Sequence, residues 1–150
     1  MFHTTDQRFM QEALRLAVLA AEQGEVPVGA VVVWQNHIIG KGYNQTVMLN
    51  DPTAHAEMIA ITAATQHLGA RYLNECTLYV TLEPCPMCAG ACYWAMLGRV
   101  VYAASDEKNG FSRLQVSASN IFHPKTIVHQ GLFASEAAAL LKQFFQKLRS

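Results

Sequence analysis

The chain has 150 residues, of which 51% are hydrophobic and 15% charged, and this size and composition predict a single domain over residues 1–150 with one core. Lys+Arg and Asp+Glu both total 11, so the net charge is zero and no overall field would draw the protein to nucleic acid or to an anionic membrane. No apolar run reaches the roughly 18 residues that would cross a bilayer, and the first helical segment has no signal-peptide cleavage site. These features predict a soluble, cytoplasmic protein without membrane association, in which any polyanionic partner must bind a local patch.

The first third of the chain predicts one helix and one strand hairpin. Apolar residues three and four positions apart predict a helix over Thr5–Glu22, and Gly24 follows it as a stop. The segments Gly29–Trp34 and His37–Tyr43 are rich in strand-forming residues and flank a polar pair, which predicts a hairpin.

A second helix is predicted over Pro52–Leu68, a segment rich in Ala, Met and Ile. Asp51 could cap it, with Pro52 at the first helical position, or Thr53 could be the cap. The sequence leaves both possibilities open.

The second half of the chain continues the alternation of strands and helices. The predicted elements are a strand over Thr77–Leu82, a helix over Cys85–Leu97, a strand over Arg99–Ala104, a short strand over Thr126–Gln130, and a helix over Ser135–Leu148 capped by Ser135 with Glu136 in its first turn. Residues 105–124 hold turn formers without a clear period. A strand, helix and strand of this length predict a right-handed crossover unit, and the whole pattern predicts a layered α/β sandwich.

The four cysteines, Cys76, Cys85, Cys88 and Cys92, are clustered in one stretch, which is more typical of a metal or redox site than of a disulfide framework. Cys85 and Cys88 begin a predicted helix that has Pro86 at its first position. Both sulfurs then lie on one face of the first turn, where the helix dipole favours the thiolate. Cys92 is a competing ligand one turn further on, but a small, buried and inert thiol is the favoured interpretation for Cys92 and Cys76.

His55 falls at the start of the second helix, much as the cysteine pair begins the third. Strand-to-helix junctions gather at one edge of an α/β sheet, so these three side chains are expected to converge. One histidine and two cysteines favour zinc, and three protein ligands leave a fourth tetrahedral position for water, as in catalytic zinc sites. No other histidine has a spacing that favours it as a further ligand.

Glu57 distinguishes a catalytic metal from a structural one. Positions two apart on a helix point about 200° away from each other, so Glu57 is poorly placed as a second ligand beside His55. Its longer side chain could still reach a metal-bound water, take its proton and hand it to a leaving group. The alternative is an acidic residue that only interacts with the helix dipole.

The segments "HAE" (55–57) and "PCPMC" (84–88) resemble the zinc signature of the cytidine and nucleobase deaminases. The chain is most similar, within that superfamily, to the bacterial tRNA adenosine deaminases, and the resemblance runs over nearly its whole length. The segments that carry it are "EVPVGAVVV" (25–33), "GKGYN" (40–44), "DPTAHAEM" (51–58), "LYVTLEPCPMCAGA" (78–91), "GRVVYAASDEKNG" (98–110) and "LLKQFFQKLR" (140–149).

The resemblance implies the cytidine deaminase-like fold, a three-layer α/β/α sandwich with a mixed five-stranded sheet. It also implies adenosine-to-inosine conversion at the wobble position of a tRNA anticodon, in which a zinc-bound hydroxide attacks C6 of the purine. By resemblance the site residues are His55, Cys85 and Cys88 on one zinc ion per chain, Glu57 as proton shuttle, Asn44 on the base, Val28 in the pocket wall, Asp106 on the ribose and Lys108 near the nucleic acid. Members of the family are usually homodimers packed through the third helix, which "AGACYWAML" (89–97) could allow.

Other interpretations of these residues stay open. Asn44 could be a turn residue that ends a strand, Val28 a buried strand residue, and Asp106 and Lys108 parts of a solvated loop. The cations available to hold RNA are few, namely Lys108, Arg113, Lys125, Lys142, Lys147 and Arg149.

Two other functions compete with the tRNA enzyme. "DPTAHAE" (51–57) and "CYWAM" (92–96) also resemble the bacterial guanine deaminases, which convert the free purine base guanine to xanthine, whereas "SDEKNG" (105–110) and "FFQKLR" (144–149) favour the tRNA enzymes. A non-catalytic, zinc-stabilised binding module is the alternative from another class, and it would have no use for Glu57.

Overall fold

The computed structural model describes residues 2–149, which form five strands, five α-helices and one 3₁₀ turn. In chain order the elements are α1 (Thr4–Glu22), β1 (Gly29–Trp34), β2 (His37–Tyr43), α2 (Ala56–Leu68), β3 (Cys76–Leu82), α3 (Pro86–Ala95), β4 (Arg99–Ala104), the 3₁₀ turn (Phe111–Leu114), α4 (Ala118–Ile121), β5 (Ile127–Gln130) and α5 (Ala134–Arg149). None of the helices in this part of the chain is long and apolar enough to cross a membrane.

The ends of the last two predicted helices show where the sequence pattern fails. Pro86 occupies the first helical position of α3, as predicted, but the helix ends at Ala95 because Met96 adopts a left-handed backbone conformation with φ of 55°. Helix α5 already begins at Ala134. Ser135 therefore lies inside the first turn of α5, and the prediction that it caps this helix is wrong.

A mixed sheet joins the five strands in the order β2-β1-β3-β4-β5. Strand β1 pairs antiparallel with β2 and β3, whereas β4 pairs parallel with β3 and β5. The predicted hairpin and the predicted strand–helix–strand unit with parallel strands are both present.

Helices cover both faces of this sheet and bury two hydrophobic cores. Helices α2 and α3 pack with one face of the sheet, and α1 and α5 pack with the other. The neighbouring β3 residues Leu78 and Tyr79 enter opposite cores, because successive side chains of a strand point to opposite faces. The three-layer α/β/α sandwich with a mixed five-stranded sheet is therefore confirmed.

Two glycines of β2 allow α2 to lie directly on the sheet. A Cβ atom at Gly42 would meet the carbonyl oxygen of Ala56 at 2.3 Å, and one at Gly40 would meet that of Ala60 at the same distance. No other residue type fits such a close approach of helix and strand. Gly42 in particular fixes the first turn of α2, which carries the candidate site residues.

Candidate active site

The start of α2 is set by a tight turn and by a side chain from another segment. The Asp51 carboxylate accepts hydrogen bonds from the backbone N–H and the hydroxyl of Thr53, both at 2.8 Å, and so stabilises a turn ahead of the helix. The first helical residue is Ala56, and its N–H donates to Oδ1 of Asn44 at 2.9 Å. The predicted start at Pro52, with Asp51 or Thr53 as cap, is therefore wrong, because Asp51 closes its own turn.

Three potential metal ligands meet where α2 and α3 begin. His55 and Cys85 are the N-cap residues of α2 and α3, both with an extended backbone, and Cys88 lies in the first turn of α3. Nδ1 of His55 lies 3.6 Å from Sγ of Cys85 and 3.5 Å from Sγ of Cys88. The ligand atoms of all three residues lie within 4.8 Å of one another.

These distances fit a tetrahedral zinc site. With Zn–N near 2.0 Å and Zn–S near 2.3 Å, tetrahedral angles separate a nitrogen and a sulfur ligand by about 3.5 Å. Both nitrogen–sulfur distances of the cluster agree with this value. A donor set of one imidazole and two thiols also favours the binding of zinc over that of magnesium or calcium.

Hydrogen bonds within the cluster favour the thiolate form of Cys85. Hydrogen bonds from Cys88 and His55 lower the pKa of Cys85 to about 4, although burial opposes this. A hydrogen bond with Cys85 raises the pKa of His55. Cys92 is not part of the cluster among the described residues, and burial holds the pKa of Cys92 well above its usual range. Cys92 is thus a neutral thiol of the core.

Glu57 lies in the first turn of α2 beside the cluster and is almost fully buried, with 4% of its surface exposed. Burial raises the pKa of Glu57, because a carboxylate loses hydration there. A carboxyl group in such surroundings can hold or release a proton near neutral pH, which suits general acid/base chemistry.

A cavity of about 990 Å³ opens onto the cluster and onto Glu57. Its lining includes His55, Cys85 and all four residues expected to contact the substrate, namely Val28, Asn44, Asp106 and Lys108. Cys88 is fully buried behind this surface. Candidate site residues from separate parts of the sequence therefore line a single cavity.

Two of the lining residues also stabilise the backbone of the site. Oδ1 of Asn44 is bonded to α2, and its amide nitrogen has no hydrogen-bond partner within residues 2–149. The Asp106 carboxylate accepts from the backbone N–H groups of Lys108 and Asn109 at 3.2 and 3.0 Å. Asp106 is thus both a turn-forming residue and part of the cavity wall.

Several lining residues had no assigned role in the sequence. Glu83 stands in the motif that contains Cys85, but nothing in its type or spacing indicated its function. From α5, Leu141 and Phe145 reach the same cavity, and so do Lys142 and Arg149, two of the cations that the sequence offers for holding RNA. The helical period of α5 predicts a buried face, but it does not predict that this face borders the cavity.

The sequence pattern of the MafB19-like deaminases matches residues 4–149, and the chain belongs to this deaminase family. It is 45% identical over 146 residues to a tRNA-specific adenosine deaminase of Aquifex aeolicus, covering 95% of each chain. A solved structure from studies of A-to-I editing by tRNA:A34 deaminases at the wobble position of transfer RNA superposes with a TM-score of 0.81 and 41% identity, over 89% of this chain and 99% of that one. A guanine deaminase of Bacillus subtilis superposes with a TM-score of 0.65 and 46% identity, over 70% of this chain and 66% of that one.

Proposed function

We propose that this protein is a hydrolytic deaminase that converts adenosine to inosine at the wobble position of a tRNA anticodon, with release of ammonia. The observation that carries the proposal is the meeting of His55, Cys85, Cys88 and the buried Glu57 at one cavity. The high identity to a tRNA-specific adenosine deaminase over almost the entire chain supports it. The whole of residues 1–150 would act as one catalytic domain.

One zinc ion per chain would be held by His55, Cys85 and Cys88, whose spacing fits it. When bound, zinc supplies a nucleophile at neutral pH by lowering the pKa of a water molecule to about 7. Four protein ligands would close the site, whereas this cluster has three.

The chain's own residues would supply proton transfer and orientation. The Glu57 carboxylate would take a proton from the attacking water and pass it to the departing amine at C6 of the purine. The amide nitrogen of Asn44 would donate a hydrogen bond to the base, while Oδ1 keeps its bond to α2. Val28, with 4% of its surface exposed, would form part of the apolar wall of the base pocket.

The cavity also supports a nucleic-acid substrate over a free base. Four cations line it, namely Lys108, Arg113, Lys142 and Arg149, although the net charge of the chain is zero. Such a local group of cations can bind the phosphates around an adenosine in an RNA loop, where Asp106 would contact the ribose.

A direct assay separates the two candidate substrates. The purified, zinc-loaded protein is incubated with an anticodon stem-loop that carries adenosine at the wobble position and, separately, with guanine. We expect inosine in the stem-loop and no xanthine. Xanthine without inosine would instead support the guanine deaminase, which the structural similarity to the Bacillus subtilis enzyme keeps as the second candidate.

The non-catalytic binding module is the weakest candidate. A structural zinc site does not require a buried carboxylate beside it, and such burial is costly unless the group has another role. Glu57 is nevertheless buried, and the chain belongs to a family of deaminases.

A homodimer packed through α3 and a cytoplasmic location complete the proposal. The exposed side chains Met87, Tyr93 and Trp94 give α3 an apolar outer surface, with Trp94 76% exposed, and large apolar residues of this kind are typical of interfaces. Analytical ultracentrifugation tests the dimer. We expect the wild type to be a dimer and Trp94→Glu to be a monomer. A monomeric wild type would contradict the proposed dimer.

A further inference from the structure

Apart from Asp6, which pairs with Arg99, two buried carboxylates have no part in the metal cluster or in the proton transfer assigned to Glu57. Glu25 is 1% exposed and Glu83 is 4% exposed, and neither takes part in the ion pairs of residues 2–149. A buried carboxylate without a cation is costly unless hydrogen-bond donors stabilise it. In both cases those donors are backbone N–H groups of a loop that borders the cavity.

Glu83 stabilises the loop after β4. Oε1 accepts from the N–H of Asp106 at 3.1 Å, and Oε2 accepts from the N–H of Ser112 at 2.9 Å. The two carboxylate oxygens therefore join both ends of the segment that includes Lys108 and Asn109, which line the cavity. Glu83 itself is fixed to β4, because its N–H donates to the carbonyl of Ala104 at 2.8 Å.

Gly110 shows how closely this loop fits against Glu83. A Cβ atom at residue 110 would lie 2.2 Å from Oε2 of Glu83 and 2.6 Å from the carbonyl oxygen of Asp106. The backbone φ of Gly110 is −70°, which any residue can adopt. Glycine is required here by the close approach of the carboxylate and not by its backbone conformation.

Glu25 does the same for the loop after β2. Oε1 accepts from the N–H of Val47 at 3.1 Å, and Oε2 accepts from the N–H of Met48 at 2.8 Å. The hydroxyl of Thr46, which lines the cavity, donates to Oε1 at 3.4 Å. The same loop begins with Asn44, the residue assigned to the base.

We propose that Glu25 and Glu83 are positioning residues that hold the two loops bordering the substrate cavity in their binding conformation. Charge-assisted hydrogen bonds to backbone N–H groups order each loop before the substrate arrives. Loops ordered in advance cost less conformational entropy on binding, so the expected contribution is to substrate affinity and not to the chemical step. The kinetic part of this inference rests on the proposed tRNA substrate, whereas the ordering of the loops does not.

The test compares Glu83→Gln with Gly110→Ala in the zinc-loaded protein. Glu83→Gln keeps the shape of the side chain but replaces one acceptor oxygen by an NH₂ group, which faces a backbone N–H. Gly110→Ala keeps the carboxylate and displaces the loop from the other side. Glu107→Gln is the matched control, since it removes a charge from the same loop at an exposed residue. Glu25→Gln repeats the test at the other loop.

The first readout is amide hydrogen exchange without substrate. We expect the N–H groups of Asp106 and Ser112 to exchange about tenfold faster or more in Glu83→Gln and Gly110→Ala, because a lost hydrogen bond to a charged group is worth about 1.5 kcal/mol or more. Glu107→Gln should exchange like the wild type. Unchanged protection of both amides in both variants would overturn the proposal, and Gly110→Ala decides it alone if Glu83→Gln does not fold.

The second readout is the kinetics of inosine formation in the anticodon stem-loop. We expect KM to rise about tenfold in both variants while kcat changes by less than about threefold. A fall in kcat with unchanged KM would overturn the proposal, because Glu83 would then act in the chemical step. If the wild type forms no inosine, the proposed function fails, but the exchange measurement still decides whether the carboxylates order the loops.

Discussion

Replacing Gly42 by alanine should displace α2 and weaken zinc binding. The added Cβ would lie 2.3 Å from the carbonyl oxygen of Ala56 and 2.9 Å from the N–H nitrogen of Ala60, whereas such contacts essentially never fall below 3.0 Å. These are backbone atoms that cannot rotate away, so the first turn of α2 must move by about 0.7 Å. His55 is the residue that caps this turn.

The size of the effect follows from that displacement. Overpacking of this kind costs about 1–3 kcal/mol, which for a chain of this length lowers Tm by about 3–10 °C. Metal–ligand distances tolerate only about 0.2 Å, so a movement of the His55 ligand should weaken zinc binding about 10- to 100-fold. Chelator competition measures the affinity, and thermal unfolding measures Tm.

Gly90→Ala is the matched control for this variant. Gly90 also lies in a helix that carries site residues, but within the single chain an added Cβ there meets nothing within 4 Å. We expect unchanged zinc affinity and a stability equal to or up to about 1 kcal/mol above the wild type, because alanine is the better helix former. Wild-type zinc affinity and Tm in Gly42→Ala would show that the added Cβ does not displace α2.

Three further predictions concern stability and binding. Asn44→Asp keeps an acceptor for the N–H of Ala56, so this variant should retain the wild-type Tm but have a higher KM. Asn44→Ala should have a higher KM and also lose about 1 kcal/mol of stability. Equal stability of Asn44→Ala and the wild type would contradict this. Asp6→Asn should lose about 3 kcal/mol in urea unfolding, because the buried carboxylate pairs with Arg99 at 2.7 Å and accepts from Tyr79 at 2.6 Å. Burial opposes ionisation of Asp6, but the hydrogen bonds from Arg99 and Tyr79 prevail and hold its pKa well below the usual 3.8. This stabilisation is fully present above pH 4 and is lost as the pH falls toward the folded-state pKa, so unfolding free energy should decline below pH 4 in the wild type and less steeply in Asp6→Asn; equal slopes would exclude Asp6 as the cause.

The sequence predicts those elements whose signal is local. The hairpin, the buried strand β4 and the proline-led start of α3 have the predicted positions. The segment 105–124 contains a 3₁₀ turn and α4, each of four residues, which is too short for a period to show. Helix α2 starts late because its first N–H bonds to Asn44, twelve residues away, and no local pattern reveals such a contact.

The same distinction applies to the candidate site. Two short sequence motifs contain the residue types and the spacing that predict the site residues His55, Glu57, Cys85 and Cys88. Glu25 and Glu83 could not, since each acts on a loop more than twenty residues away. In a sequence, a glutamate that is buried and accepts backbone hydrogen bonds cannot be distinguished from any other glutamate. Only the fold shows which loop it stabilises.

Inosine formation and bound zinc, both measured on one sample of the Glu57→Gln variant, decide whether Glu57 transfers the proton. The amide keeps the size of the side chain but cannot take up a proton. We expect about one zinc per chain, an unchanged Tm and a rate of inosine formation lowered at least about 100-fold. A wild-type rate in a fully zinc-loaded Glu57→Gln protein would contradict it.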